Sequence, residues 1–213
     1  AGSSAQQQAW LPLLGSGEAR LALAIDEKSG HHLPEKLTTV AEQTSTGWSL
    51  SGEKSFVIDG VGANGFVVLA ASAQGAPGLW LVPADAPGVS VKPVSMIDSR
   101  NMARVQFEHV TLTADMALVA MPAGKALDEV LDRALACLAA EALGLLREVF
   151  DRTVTYLKER VQFDVLIGSF QALQHRASRL YVELELLESC VLAALEAIDS
   201  GREAKVPEHV SLA

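Results

Sequence analysis

Residues 160–175 read RVQFDVLIGSFQALQH, and this stretch decides the fold because it separates two long helical patterns. On both sides of it, apolar residues recur at spacings of three and four, so they share one face of a helix. The pattern predicts two long helices, over 125–158 and 170–200, joined by a turn at 164–168. An acidic and glycine-containing turn between two such runs is typical of a helical hairpin.

Two long helices with a short connection should lie antiparallel, and each keeps an apolar stripe that further helices must cover. After Pro207 a third helix begins at EHVSLA, where the sequence stops. Either other subunits complete the bundle or the sequence is a piece of a longer protein, and we favour both together. The opening residues AGSSAQQQAW, which lack the pattern of a secretory signal, also read as the middle of a longer chain.

Residues 20–120 follow a different period. Short β-rich runs are separated by turn signals such as Asp59-Gly60 and Pro87-Gly88. In order, the runs are RLALAI, LTTVAE, GWSLSGEKSFVI, GFVVLA, GLWLVP, VSVKPV and ARVQFEHVTL. Strands at this spacing predict an antiparallel barrel or sandwich. The chain as a whole is therefore expected to be α+β, with an antiparallel β-barrel followed by part of an antiparallel four-helix bundle.

Composition excludes several classes of protein. The 213 residues are 49% hydrophobic and 20% charged, as in ordinary globular proteins. A net charge of −9 argues against a nucleic-acid partner, which requires a basic surface. No apolar stretch reaches the roughly 18 residues of a membrane span. Cys137 and Cys190 lie in helical runs without metal-ligand spacing, so buried, unpaired thiols in a reducing cytoplasm are expected.

The joint between the helices concentrates polar and aromatic chemistry. It holds one guanidinium, three amides, one imidazole and two phenyl rings, from Arg160, Gln162, Phe163, Phe170, Gln171, Gln174 and His175. One interpretation is a capped helix end, where an arginine offsets the helix dipole, beside a packed corner. The other is a binding site for an anion and a flat aromatic ring, because guanidinium groups bind phosphate and phenyl rings pack on heterocycles.

Four motifs, in order along nearly the whole chain, resemble the acyl-CoA dehydrogenase family. YLKERVQFDVLIGSFQALQHR (156–176) is similar to its signature R-x-Q-F-G-x-P-I-x-x-F-Q-x-x-Q, and YVELELLES continues the match. The others are SGEKSFVIDG (51–60), GLWLVPADAPGVSV (78–91) and MARVQFEHVTLTADMAL (102–118). Within the family, the chain resembles the small subunits of two-component enzymes acting on pimeloyl-CoA or steroid-CoA thioesters.

The resemblance implies three domains and a cofactor. Residues 1–19 would end an N-terminal helical domain, 20–120 would form the middle barrel, and 121–213 would form part of the C-terminal bundle. Through that bundle the subunits would form homo- or hetero-oligomers, dimers or tetramers. The implied activity is FAD-dependent α,β-desaturation of an acyl-CoA thioester, with an electron acceptor that reoxidises the flavin.

The same resemblance assigns roles to the joint. Arg160, Gln162 and Phe163 would contact the FAD of a neighbouring subunit. The channel for its adenosine and diphosphate would be lined by Ile167, Phe170 and Leu173. In the sheet domain, the residues matching flavin-facing positions of the family are Asp26, Phe56 and Ile58.

Several positions depart from the family pattern. Asp26 replaces a hydrogen-bonding Thr and cannot donate while ionised, and Ile58 replaces a second Thr, although Phe56 can still stack. Asp164 stands where Gly is usual and could pair with Arg160. These departures favour, as an alternative, a non-catalytic partner subunit whose flavin site is degenerate.

No residue of the chain is assigned as catalytic base. The family takes the α-proton with a Glu, which lies beyond the residues matched here in most members and at the position of Ala134 in a minority. Glu141, further along the same helix, reads as a polar residue at a helix contact. The adjacent His31 and His32 lack partner ligands at useful spacing and are expected in a solvated loop rather than a metal site.

Overall fold

A computed structural model of the chain describes residues 1–28, 36–72, 74–201 and 203–213, without the side chain of residue 203. His31 and His32 therefore lie outside the described residues. The chain divides into two compact units, Ala1–Ala126 and Leu127–Ala213.

The first unit begins with a helix that its own end residues stabilise. Helix α1 spans Ser4–Ser16, and Ser3 caps it: the Gln6 backbone N–H donates to Ser3 Oγ at 3.3 Å, and the Ser3 N–H donates to Gln6 Oε1 at 2.7 Å. The strands that follow are β1 Leu21–Ala24, β2 Val40–Thr44, β3 Gly47–Ile58, β4 Gly65–Ser72, β5 Pro77–Pro83, β6 Val89–Val94 and β7 Met102–Leu112. All seven overlap the runs predicted from the sequence, although β2 begins three residues later than its run and ends two residues later.

The sheet is mixed, so the prediction of a wholly antiparallel barrel was wrong. Its order is β1-β4-β2-β3-β7-β6, and β5 pairs with the other edge of β4. Strand β4 runs parallel to both β1 and β2, whereas the remaining pairs are antiparallel. In the described part of the chain no pairing joins β5 to β6, so the sheet stays open. Alternating apolar residues identify a strand but not the direction of its neighbours.

A bulge keeps the apolar face of β7 in the core. Ala103, Val105 and Phe107 are buried in alternation, and burial then resumes at Val110 and Leu112. The pairing of β3 with β7 slips over this interval, where the backbone of residue 109 has a positive φ of 50°. One extra residue restores the inward face, since side chains alternate with a period of two.

The second unit is built from helices and one small hairpin. Helix α2 spans Ala123–Glu159, α3 spans Gln171–Asp199 and α4 spans Val206–Leu212; between the first two lie strands β8 Val161–Gln162 and β9 Val165–Leu166. Helices α2 and α3 match the predicted ranges to within two residues. The predicted simple turn is instead this hairpin followed by a short 3₁₀ turn. No described helix has the length and apolar content needed to cross a bilayer.

Helices α2 and α3 are antiparallel. Arg147 on α2 forms ion pairs with Glu185 and Glu188 on α3, and three residues further along α2 the Phe150 ring lies 6.1 Å from that of Tyr181. The residue numbers of the contacting residues fall along α3 as they rise along α2, as predicted for an antiparallel pair. The short α4 packs Val206 and Val210 into a buried cluster with Ala136 of α2 and Ala194 and Ala197 of α3. Two long helices and one of seven residues, in the part of the chain described, do not make a four-helix bundle.

The two cysteines are unpaired, but neither is fully buried, so the expectation of two buried thiols was wrong. Cys137 is exposed on α2, and Cys190 is half-buried on α3. Ala136 faces α3 and is buried, so the next residue on the helix turns by about 100° towards solvent. Within the described ranges no three His, Cys, Asp or Glu side chains converge as metal ligands.

Large apolar side chains of both long helices are left uncovered. Those about half exposed or more include Leu135, Leu138, Leu145, Val149, Tyr156, Leu180, Tyr181, Val182, Leu186 and Leu192. We expect the purified chain to self-associate, because contiguous apolar patches of this kind mark interaction surfaces. Light scattering should give a mass above the 22.6 kDa of one chain. The double variant Leu145→Glu/Val149→Glu should restore the monomer. A monomeric wild type at high concentration would contradict the prediction.

Candidate functional site

The joint between α2 and α3 is a tight hairpin that presents an aromatic ring to solvent. Val161 pairs with Leu166 and Gln162 with Val165, so only Phe163 and residue 164 form the loop. Both loop residues have positive φ, 54° and 61°, as in the two-residue turns that match the twist of a hairpin. The Phe163 side chain is consequently 87% exposed.

Backbone contacts hold this hairpin against the helices. The Ile167 N–H donates to Arg160 O at 2.8 Å, and Gln174 Nε2 on α3 donates to Gly168 O at 2.9 Å. A Cβ at Gly168 would stand only 2.7 Å from the carbonyl oxygen of Leu157 on α2, so this close approach requires glycine. The joint is therefore a fixed platform on the helix ends.

The platform carries two phenyl rings, and Arg160 lies at the base of its hairpin. The rings of Phe163 and Phe170 meet edge to face, with centroids 6.3 Å apart. The Arg160 side chain is exposed and makes no ion pair or hydrogen bond with another described residue, so Asp164 does not sequester it. Gln162 donates its amide to the carbonyl of Val161 at 2.9 Å. The Arg160 guanidinium can bind an anion, and the two rings can pack against a flat apolar group.

The remaining two joint residues predicted to line the site are half-buried. Ile167 begins the 3₁₀ turn that precedes α3, and the Phe170 N–H donates to its carbonyl at 3.1 Å. Leu173, one turn into α3, lines an apolar cavity of about 260 Å³ between α2 and α3. Phe150 and Leu157 of α2 line the same cavity. Leu173 is thus an inner wall behind the platform.

In the first unit, the structure brings the predicted sheet residues together. Asp26 follows β1, and its carbonyl accepts from the Ser55 N–H at 2.8 Å. Phe56 lies in a bulge of β3 with φ 54°, and both Phe56 and Ile58 are exposed. Asp26 accepts this hydrogen bond, and Phe56 directly follows its donor, Ser55. Ile58 lies two residues further along the strand.

Sequence reasoning missed a buried ion pair beneath these residues. Lys54 Nζ lies 2.8 Å from Glu27 Oε1, with side-chain exposures of 0% and 2%. Lys54 also donates to Ile25 O at 3.1 Å, and the Glu27 carboxylate accepts from Thr38 N, Thr38 Oγ1 and Thr39 N at 2.6, 2.5 and 3.0 Å. The signal was present: a lysine at an inward position of an apolar strand must be paired.

The comparisons with known proteins decide the family. Residues 119–213 match the family model described as acyl-CoA dehydrogenase, C-terminal domain. Acyl-CoA dehydrogenase FadE12 of Mycobacterium tuberculosis is 30% identical over 220 residues, an alignment that covers 100% of this chain and 57% of that protein. The chain belongs to the acyl-CoA dehydrogenase family. Members of this family are oxidoreductases acting on CH–CH bonds.

Solved structures of acyl-CoA dehydrogenases share the fold. A glutaryl-CoA dehydrogenase of Mycobacterium smegmatis in complex with FADH2 is 25% identical, with a TM-score of 0.86, over 99% of this chain and 55% of that one. The ChsE4–ChsE5 complex of Mycobacterium tuberculosis is 26% identical, with a TM-score of 0.81 and coverages of 99% and 55%. The chain thus spans little more than half the length of these proteins.

The acyl-CoA dehydrogenase family is FAD-dependent, and the residues present fit this cofactor unevenly. At the joint, an exposed guanidinium that pairs with no described residue suits a diphosphate, and the exposed rings of the same joint suit an aromatic base. In the sheet unit, the exposed Phe56 ring suits stacking, but Asp26 contributes a carboxylate and Ile58 no polar atom. The joint fits the dinucleotide better than the sheet residues fit the flavin ring.

Asp164→Gly should stabilise the joint by up to about 1 kcal/mol, because glycine adopts a φ of 61° without the clash of a Cβ. Thermal unfolding followed by helical circular dichroism measures it. Asp151→Gly, the same change at an exposed position within α2, should lower stability instead, since glycine is unfavourable inside a helix. A loss of stability in Asp164→Gly would contradict the strain argument.

Burial opposes ionisation of Glu27, but hydrogen bonds from Lys54, Thr38 and Thr39 outweigh it and lower the pKa from 4.5 to about 2. The carboxylate therefore contributes stability that is fully present above pH 4.5 and is lost as the pH falls through about 2. The expected loss is roughly 3 kcal/mol. Urea unfolding at a series of pH values measures this loss. If the free energy of unfolding of Glu27→Gln fell as steeply with falling pH as that of wild type, Glu27 would be excluded as the cause.

Proposed function

We propose that the protein containing this chain is an FAD-dependent acyl-CoA dehydrogenase that desaturates an acyl-CoA thioester between its α and β carbons. The α-hydrogen leaves as a proton to a base and the β-hydrogen leaves as a hydride, so the substrate loses two electrons. Bound FAD supplies the acceptor for that hydride. The observation that carries the proposal is the exposed Arg160 side chain, paired with no other described residue, in the same joint as the Phe163–Phe170 ring pair of a chain of this family.

In this proposal the joint residues hold the dinucleotide end of FAD. Arg160 pairs with the diphosphate through its guanidinium, since a charge-assisted contact of this kind is the strong one. Phe163 and Phe170 pack on the adenosine, and the Gln162 amide offers polar contacts to the same group. Ile167 on the turn and Leu173 on α3 are half-buried and form the apolar wall behind them.

The sheet residues take the flavin end. Phe56 stacks on the ring system, and Asp26 and Ile58 lie beside it, held by the bulge in β3. The uncovered faces of α2 and α3 are where other subunits dock, so that the cofactor of a neighbouring subunit reaches the joint. The four motifs and the exposed rings support this arrangement. The proposal also includes a cytoplasmic location and an electron acceptor that reoxidises the flavin.

A second candidate is a non-catalytic partner subunit in a hetero-oligomeric acyl-CoA dehydrogenase. It is supported by the sheet residues, because an ionised Asp26 disfavours a reduced, anionic flavin and Ile58 cannot hydrogen-bond to it. The likeness to one chain of the ChsE4–ChsE5 complex is consistent with such a role. In this case Arg160, Phe163 and Phe170 of the chain contact an FAD that is bound mainly by the partner subunit.

Equilibrium dialysis of the purified protein against FAD tests both candidates. The first predicts saturable binding and flavin absorbance in the protein alone, which an acyl-CoA thioester then bleaches as the flavin is reduced. The second predicts a colourless protein that gains flavin only when mixed with a second acyl-CoA dehydrogenase subunit. Absence of bound flavin in both preparations would overturn the proposal.

A further inference from the structure

Three segments of the first unit converge on one buried cluster, formed by Lys54 and Glu27. Lys54 reaches from β3 to the carbonyl of Ile25, just after β1, and to the Glu27 carboxylate. That carboxylate in turn accepts from the backbone and side chain of Thr38 and from the backbone of Thr39, just before β2. Every polar atom of the ion pair thus has a defined partner, as a buried pair requires.

The cluster holds the segment that carries Asp26 from both sides. The carbonyl of the preceding residue, Ile25, accepts from Lys54, and the following residue, Glu27, is fixed by its carboxylate. The carbonyl of Asp26 itself accepts from Ser55, which lies directly between Lys54 and Phe56. The ion pair therefore sets the backbone positions of both Asp26 and Phe56.

Stability alone does not account for such a cluster. A buried ion pair gains little over well-packed apolar residues of similar volume, because removing both charges from water offsets their attraction. Directional hydrogen bonds, by contrast, fix geometry that apolar contacts leave loose. What this pair supplies is a defined placement of the half-buried Asp26 and the exposed Phe56 next to it in the chain.

We propose that Lys54 and Glu27 are positioning residues for the flavin end of the cofactor site. They act through the backbone at 25–27 and 55–56, without touching the cofactor themselves. This inference rests on the proposed function, because it gives Asp26 and Phe56 a flavin to face. It adds two residues whose effect on the flavin is indirect.

The experiment compares the double variant Lys54→Met/Glu27→Gln with wild type and with Lys92→Met. The double variant removes both charges together, so no unpaired charge remains, and the glutamine keeps an acceptor for Thr38. Lys92→Met makes the same lysine substitution at an exposed position of β6. The tryptophan fluorescence of each protein confirms that the first unit is folded.

Two readouts are expected to change in the folded double variant. The Kd for FAD should rise by about tenfold or more, with a shifted absorbance spectrum of the bound flavin, since tenfold is the effect of about 1.4 kcal/mol. The Ser55 amide, which donates to Asp26, should also lose protection from hydrogen exchange by a similar factor. Lys92→Met should stay within about twofold of wild type in both, as expected for a surface change.

The outcomes separate the two ideas. If wild type binds no FAD alone or with a partner subunit, the proposed function fails, while unchanged Ser55 protection in the double variant overturns the positioning role. If the double variant is less stable yet keeps the wild-type Kd, flavin spectrum and Ser55 protection, the pair is only structural and the inference is wrong. Loss of Ser55 protection with weaker FAD binding supports it.

Discussion

Lys54→Met is expected to lower the free energy of unfolding of the first unit by about 3–5 kcal/mol, because the change leaves the Glu27 carboxylate buried without its counter-charge. Urea unfolding followed by tryptophan fluorescence measures this loss. The signal is specific, since Trp10, Trp48 and Trp80 are the three tryptophans of the chain and all lie in this unit. The midpoint should fall while the transition stays cooperative.

Two further variants make that result interpretable. Lys92→Met should change the free energy of unfolding by less than about 0.5 kcal/mol, as expected at the surface. Adding Glu27→Gln to Lys54→Met should recover part of the loss, because the unpaired charge is then removed. A double variant less stable than Lys54→Met alone would show that the cost does not come from an orphaned carboxylate.

Arg160→Ala is expected to weaken FAD binding by roughly 10- to 100-fold. The lost contact is a charge-assisted hydrogen bond to the diphosphate, worth about 1.5–3 kcal/mol. Equilibrium dialysis and the ratio of flavin to protein after gel filtration provide the measurement. Because the Arg160 side chain holds no other described residue, the fold should survive, and helical circular dichroism should be unchanged.

Two arginine variants sharpen this prediction. Arg152→Ala removes an exposed arginine of α2, paired with Glu148, and should leave FAD binding within about twofold. Arg160→Lys should give an intermediate affinity, since an ammonium keeps the charge but loses the planar fork. Unchanged flavin stoichiometry in Arg160→Ala would count directly against the cofactor role of the joint.

Most element boundaries could be read from local pattern. Strands β3 and β6 begin and end where their runs do, and α2 and α3 differ from the predicted helices by at most two residues. The information sits within each segment, because side-chain period and turn residues act over a few positions. Strand direction could not be read in this way, and β4 proved parallel to two neighbours.

The residue types of the candidate site could be predicted from the sequence, but the backbone structure that holds them could not. The residue types at 160–175 indicated a cation and aromatic rings in one joint, and the structure shows Phe163 and Phe170 in contact and an exposed Arg160 that pairs with no described residue. The hairpin that does so was missed, since two-residue strands leave no periodic trace. Whether these residues and those of the sheet unit bind FAD stays a prediction.

By itself the sequence determined the family, through four ordered motifs, and the succession of strands and helices, through the spacing of apolar residues. Only the tertiary structure decided that the buried Lys54 meets Glu27 and that Thr38 and Thr39 donate to the Glu27 carboxylate. The reason is physical. Whether an apolar residue is buried depends on the side of its own helix or strand on which it lies. A hydrogen-bonded ion pair depends instead on where a second, distant segment of the chain comes to lie.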